Sequence, residues 1–149
     1  MKTKKKQLKL RHTIKVKKEN TRISNKTKSC IVSTFLEILN TVKLYHWHTK
    51  SFPEHKSTDE LYAKLNKTID RFVEVLLGKD SSRIKMVEKR IQLIDIHTTQ
   101  NLRNRIFEYR TFLIDISINF SPTIDSDLLS IRDEILADLN QFLYLLTFH

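Results

Sequence analysis

The chain carries a single glycine and two prolines among 149 residues. All-β architectures need turn residues at short intervals, and this supply cannot meet that need. Long helices with few connections remain. The length corresponds to one domain, large enough to bury roughly 70% of the surface its unfolded chain exposes, so folding requires neither a disulfide nor a structural metal. Cys30 is the only cysteine, which excludes an intramolecular disulfide. No apolar run approaches the roughly 18 residues of a membrane span, and no hydrophobic stretch follows the N-terminal charges. Neither membrane insertion nor secretion is expected.

The net charge of +10 is unevenly spread. Residues 1–28 hold twelve basic side chains, Lys2, Lys4, Lys5, Lys6, Lys9, Arg11, Lys15, Lys17, Lys18, Arg22, Lys26 and Lys28, against one acid, Glu19, for +11. Residues 29–149 sum to −1. The N-terminal stretch has only scattered apolar residues, too few to offset the entropy of ordering it, so a disordered basic arm over 1–28 is expected ahead of a domain over 29–149. Such an arm suits a polyanion, with nucleic acid first, because phosphate contacts need only charge and reach. The candidate contacts are Lys2, Lys4, Lys5, Lys6, Lys9, Arg11, Lys15, Lys17 and Lys18. An anionic membrane surface or a nuclear-import signal uses the same composition, and a solubilising tail needs no ligand.

From Ser29 onward the apolar residues recur at helical spacing. Ile31, Phe35, Ile38, Val42 and Tyr45 form one stripe, predicting a helix over 29–49. Pro53 marks a turn. Ser57 or Thr58 caps a second helix over 57–77, with Thr58, Leu61, Leu65, Ile69, Phe72 and Leu76 on its inner face and Gly78 as a left-handed C-terminal cap. Residues 79–99 have no clear period and read as a long crossover with room for short strands or a helical turn. Leu102, Ile106, Tyr109, Leu113, Ile116 and Phe120 predict a helix over 100–120. Leu128, Ile131, Ile135, Leu139, Phe142 and Leu146 predict another over 126–147. Connections that are short, long and short give an all-α, ferritin-like four-helix bundle with one long crossover.

Three of the six histidines gather where the first two helices meet: His46, His48 and His55. His46 falls on the inner face of its helix, whereas His48 faces another side and is expected in solvent. His55 and Asp59 are four residues apart and present together if the second helix begins a turn early; Asp70 and Glu74 repeat that spacing. Asp59 and Asp70 share a face but stand roughly 16 Å apart along the axis, so one ion within a chain cannot use both. A site built from His46, His55, Asp59, Asp70 and Glu74 therefore needs two subunits, and its mixed ligands suit Fe(II), Mn(II) or Zn(II). The same residues can instead pair with each other or with Lys and Arg and hold no metal. Trp47 reads as a packing or interface residue, and Asp133, Glu134 and Asp138 as a solvated face of the last helix. Cys30 has no histidine near it in sequence, so nucleophilic catalysis has no support.

The series His46-Trp47-x-x-Lys50, Phe52, His55-x-x-x-Asp59, ten residues, then Asp70-x-x-x-Glu74 resembles the DNA-protection ferritin-like proteins of starved bacteria, the Dps family. The resemblance covers the first two helices. It implies an inter-subunit ferroxidase site at which Fe(II) is oxidised by peroxide or oxygen, a homo-oligomer and a Lys-rich tail on DNA. The turn between the two histidines is shorter here and lacks the family's glycine. The Glu-x-x-His pairs of other di-iron bundles are absent, since Ala137 follows Glu134 by three and Gln141 follows Asp138 by three. Tyr45-His46-Trp47-His48-Thr49-Lys50-Ser51, the segment from Leu128 to Glu134 and the ending from Asn140 to Phe148 resemble a family of small uncharacterised proteins of giant double-stranded DNA viruses. That resemblance implies a viral protein of the host cytoplasm or the virion, and no defined activity. A structural or DNA-packaging role on the same scaffold is the alternative to iron chemistry.

Overall fold

A computed structural model describes residues 22–148. Four helices account for most of them: α1 (Asn25–His48), α2 (Phe52–Gly78), α3 (Thr99–Asp115) and α4 (Ser126–Leu145), with a 3₁₀ turn over Ile116–Asn119 after α3. Hydroxyl side chains cap the first three. Ser24 accepts from the Thr27 amide, Ser51 from that of Glu54 and Thr98 from that of Asn101, each satisfying one of the donors a helix start leaves free. Among the described residues there is no strand, and no helix is long and apolar enough to cross a membrane.

Several expected boundaries move for physical reasons. α1 begins at Asn25 rather than Ser29, because Ser24 caps it and Lys28 is buried. Residues 22–28 therefore belong to the folded unit and not to the arm. α2 begins at Phe52 rather than 57, since Pro53 occupies its first turn, where a missing N–H costs nothing. Gly78 is not a left-handed cap: among the described residues the one with positive φ is Ser81, at 55°. α3 gives way to the 3₁₀ turn after Asp115, and α4 stops at Leu145. The 79–98 connection forms no strand or helix beyond a turn.

The turn over 49–51 makes α1 and α2 antiparallel neighbours. The crossover then runs the length of α1. At its start Asp80 and Ser82 accept from Lys28, and the Val87 amide donates to Ser29; at its end His97 meets His48, and Thr99 lies beside Tyr45. α1 rises about 36 Å, a distance that some eleven extended residues cover. α3 consequently runs parallel to α2 and antiparallel to α1, and α4 returns between α2 and α3 to complete the bundle. Lys79, just past α2, reaches Asp125 and Asp127 at the start of α4, closing that end.

Every residue of the four predicted stripes is buried, from Ile31 on α1 to Leu146 after α4. Phe72 meets Phe35 and Phe120 edge-on at 5.2 and 6.0 Å, joining three of the layers. The Tyr109 hydroxyl pairs with Thr41 at 2.8 Å and donates to Glu37 at 2.9 Å, satisfying the polar atoms where α3 crosses α1. Of the acids expected in solvent on α4, Asp133 and Glu134 are exposed. Glu134 nonetheless pairs with Arg71, and Asp138 is half-buried beside Lys64 at 3.8 Å, so this face partly abuts α2.

Candidate functional site

The early start of α2 decides the arrangement of the histidines. With only three residues between the helices, His46 on the last turns of α1 stands opposite His55 in the first turn of α2. The two side chains are locked reciprocally. His46 Nδ1 lies 2.9 Å from the His55 carbonyl oxygen, and His55 Nδ1 lies 3.0 Å from that of His46. A carbonyl only accepts, so both Nδ1 atoms carry the hydrogen and both neutral rings present a lone pair at Nε2. The rings stack at 3.8 Å with 24° between their planes. Thr58, fully buried, lies 3.2 Å from His46 Nδ1. His46 is buried, whereas His55 is exposed.

Asp59 stands one turn beyond His55, its carboxylate 3.9 Å from His46 Nε2 and 3.7 Å from Lys43 Nζ. Lys43 also lies over the rings of Tyr62, at 4.8 Å, and Trp47, at 5.7 Å. Trp47 is 69% exposed, so it does not pack in the core of its own chain. Asp70 and Glu74 are exposed further along α2. The expected ligand set therefore divides as the helix rise requires: His46, His55 and Asp59 gather at the α1–α2 turn, while Asp70 and Glu74 lie apart. Among the described residues no group of three or more His, Cys, Asp or Glu side chains converges on one point.

Two polar clusters at the same end escape the sequence reading. Glu54 accepts from the hydroxyls of Tyr45 at 2.8 Å, Thr49 at 2.7 Å and Thr99 at 2.6 Å, drawing α1, α2 and α3 together. Burial raises its carboxyl, but the donors Thr99, Thr49 and Tyr45 outweigh burial and hold it below the usual carboxylate range. Burial above all pushes the Tyr45 phenol up; the Thr99 hydrogen bond opposes it, and the hydrogen bond and charge of Glu54 add to it, so the phenol stays a donor. The signal for this hub was Ser51-x-x-Glu54, the spacing of a capping box. The second cluster joins His48 to His97 and Asp95. His48 is exposed as expected, yet it is not alone.

The candidate phosphate contacts Lys2, Lys4, Lys5, Lys6, Lys9, Arg11, Lys15, Lys17 and Lys18 lie outside the described residues. Of the other basic residues assigned to the arm, Arg22 and Lys28 both reach Asp80. Cys30 is a free, exposed thiol.

A model of a protein family of unknown function, DUF5856, matches residues 46–146. No curated protein matches the chain, and no solved structure does.

Proposed function

We propose that this chain, which belongs to the family of unknown function DUF5856, is a ferritin-like metal-binding protein that takes up Fe(II) between two copies of itself and is held on DNA by its basic arm. The observation that carries the reading is the reciprocal His46–His55 lock. Spending both Nδ1 hydrogens on backbone carbonyls fixes the tautomer that leaves Nε2 as a ligand atom on each ring, with the Asp59 carboxylate beside one of them. Imidazole and carboxylate together suit Fe(II), Mn(II) or Zn(II). Asp70 and Glu74, exposed on the same helix, are the carboxylates a two-fold mate would supply. The long crossover that leaves α2 and α3 parallel supports the reading, because ferritin-like bundles use one such connection.

In this reading iron is the substrate. The chain's residues hold and orient it, and its oxidation by peroxide or oxygen follows as the enzymatic step. Anaerobic Fe(II) titration of the purified protein tests the proposal. Stoichiometric uptake that His55→Ala and Asp59→Ala each abolish is expected, from a particle of at least two chains by native mass. Uptake equal in all three proteins, or a monomer at micromolar concentration, overturns it.

One observation favours a second reading. Lys43 stands closer to Asp59 than His46 does, so the carboxylate already has a cation. On that reading the bundle is a non-enzymatic structural or DNA-packaging component of a virion, and the histidines only fasten the turn. The same titration separates the two.

A further inference from the structure

On the crossover side of α1 a second pair of imidazoles converges. His48 Nε2 and His97 Nδ1 are 3.1 Å apart, with the rings perpendicular at 89° and their centroids 4.3 Å apart. The far nitrogen of His97, Nε2, lies 2.9 Å from Asp95 Oδ2. An ionised carboxylate only accepts, so Nε2 of His97 carries the hydrogen, and the neutral ring turns its Nδ1 lone pair toward His48. This order, carboxylate then imidazole then open lone pair, is the one that orients histidines around protein-bound metal ions.

The spacing suits a shared ion. Two nitrogens 3.1 Å apart, each bonded at 2.0–2.1 Å to one metal, subtend roughly 100° there. That lies between the right angle of tetragonal Cu(II) or Ni(II) and the tetrahedral angle of Zn(II). His48 becomes a ligand when its hydrogen moves from Nε2 to Nδ1, a tautomer exchange with no change of charge. His48, His97 and Asp95 are all exposed, so an ion arrives from solvent without any opening of the fold. The pair is distinct from His46 and His55, since residues two apart on a helix point about 160° from each other.

The geometry points to a divalent transition-metal site, with Cu(II) first by the usual order of affinities, held by His48 and His97 and oriented by Asp95. Water fills its remaining positions. A bound ion joins the end of the crossover to the last turn of α1, so it also fastens the long connection between α2 and α3.

The test uses the full chain carrying His55→Ala, which removes a ligand from the other pair. Cu(II) titrated into it should bind at one ion per chain, with a paramagnetic resonance spectrum showing two imidazole nitrogens and a raised melting temperature. Adding His97→Ala or His48→Ala should remove one nitrogen coupling and weaken binding tenfold or more, and Asp95→Asn should weaken it by about 10- to 100-fold. Circular dichroism of each variant, whose changed side chain is exposed, checks that the helices persist. An unchanged affinity and two-nitrogen spectrum in His97→Ala overturns the site. Unchanged affinity in Asp95→Asn overturns the orienting role. Because iron uptake is read on the unaltered chain against His55→Ala and Asp59→Ala, and Cu(II) binding on a chain that already lacks His55, the two metal proposals fail separately.

Discussion

Lys28 Nζ donates to Asp80 Oδ2 at 2.6 Å, joining the first turn of α1 to the crossover 52 residues away. The lysine side chain is 5% exposed, and its remaining contact is Ser82 Oγ at 2.8 Å. Asp80→Asn leaves that ammonium buried without a countercharge, and a loss of about 3 kcal/mol is expected in urea unfolding. Hydrogen bonds from Lys28 and then Ser82 hold the Asp80 carboxyl far below its ordinary value. A carboxyl lowered by folding stabilises fully above its unfolded pKa, so this contribution should persist at neutral pH and fade as pH falls below about 4. In Asp80→Asn that part of the acid dependence should be missing.

Glu54 predicts a different failure. Removing it by Glu54→Ala leaves the hydroxyls of Tyr45, Thr49 and Thr99 without their acceptor, at a cost of about 2 kcal/mol. The damage should be local to one end of the bundle. Hydrogen exchange is expected to quicken in the first turns of α2 and α3 and to stay unchanged around Gly78 and Asp125. Equal acceleration at both ends would contradict the hub.

The core was legible because a helical stripe is defined by its period and not by its ends. Phe35, Leu65, Ile106 and Ile135 fall inside whichever boundary is chosen, and all four are fully buried. Ends are set by particular contacts, some of them distant. Lys28 looked like one more arm charge because its partner Asp80 is remote in sequence, and Pro53 looked like a turn because a helix's first turn tolerates it equally well. The gathering of His46 and His55 was visible in their spacing. Their locking onto each other's carbonyl was not, since it depends on a three-residue turn. His97 could be paired with His48 only after the path of an aperiodic crossover was known.

Glycine and strain stand three residues apart at the end of α2. Gly78 is helical with negative φ, and an added Cβ meets nothing within 4 Å, whereas Ser81 adopts φ 55°. Gly78→Ala should therefore stabilise by about 0.5–1 kcal/mol through the unfolded chain. Ser81→Gly should relieve a left-handed conformation worth about 1 kcal/mol. The double variant is expected to melt several degrees higher by calorimetry. A lower melting temperature for Gly78→Ala would mean that the helix end needs glycine after all.

The position of a truncation should separate charge from fold. Residues 1–21 carry +8 of the net charge, so their removal should abolish most salt-dependent polyanion binding. Helicity and melting temperature should hold, because the Ser24 cap and the Lys28–Asp80 pair remain. Removal of 1–28 takes the cap and the buried lysine as well, strands Asp80, and should lower the melting temperature markedly. Retained DNA binding with the same steep salt dependence in the shorter deletion would place the polyanion contacts on the bundle. Equal stability of the two truncated proteins would show that α1 does not need its first turn.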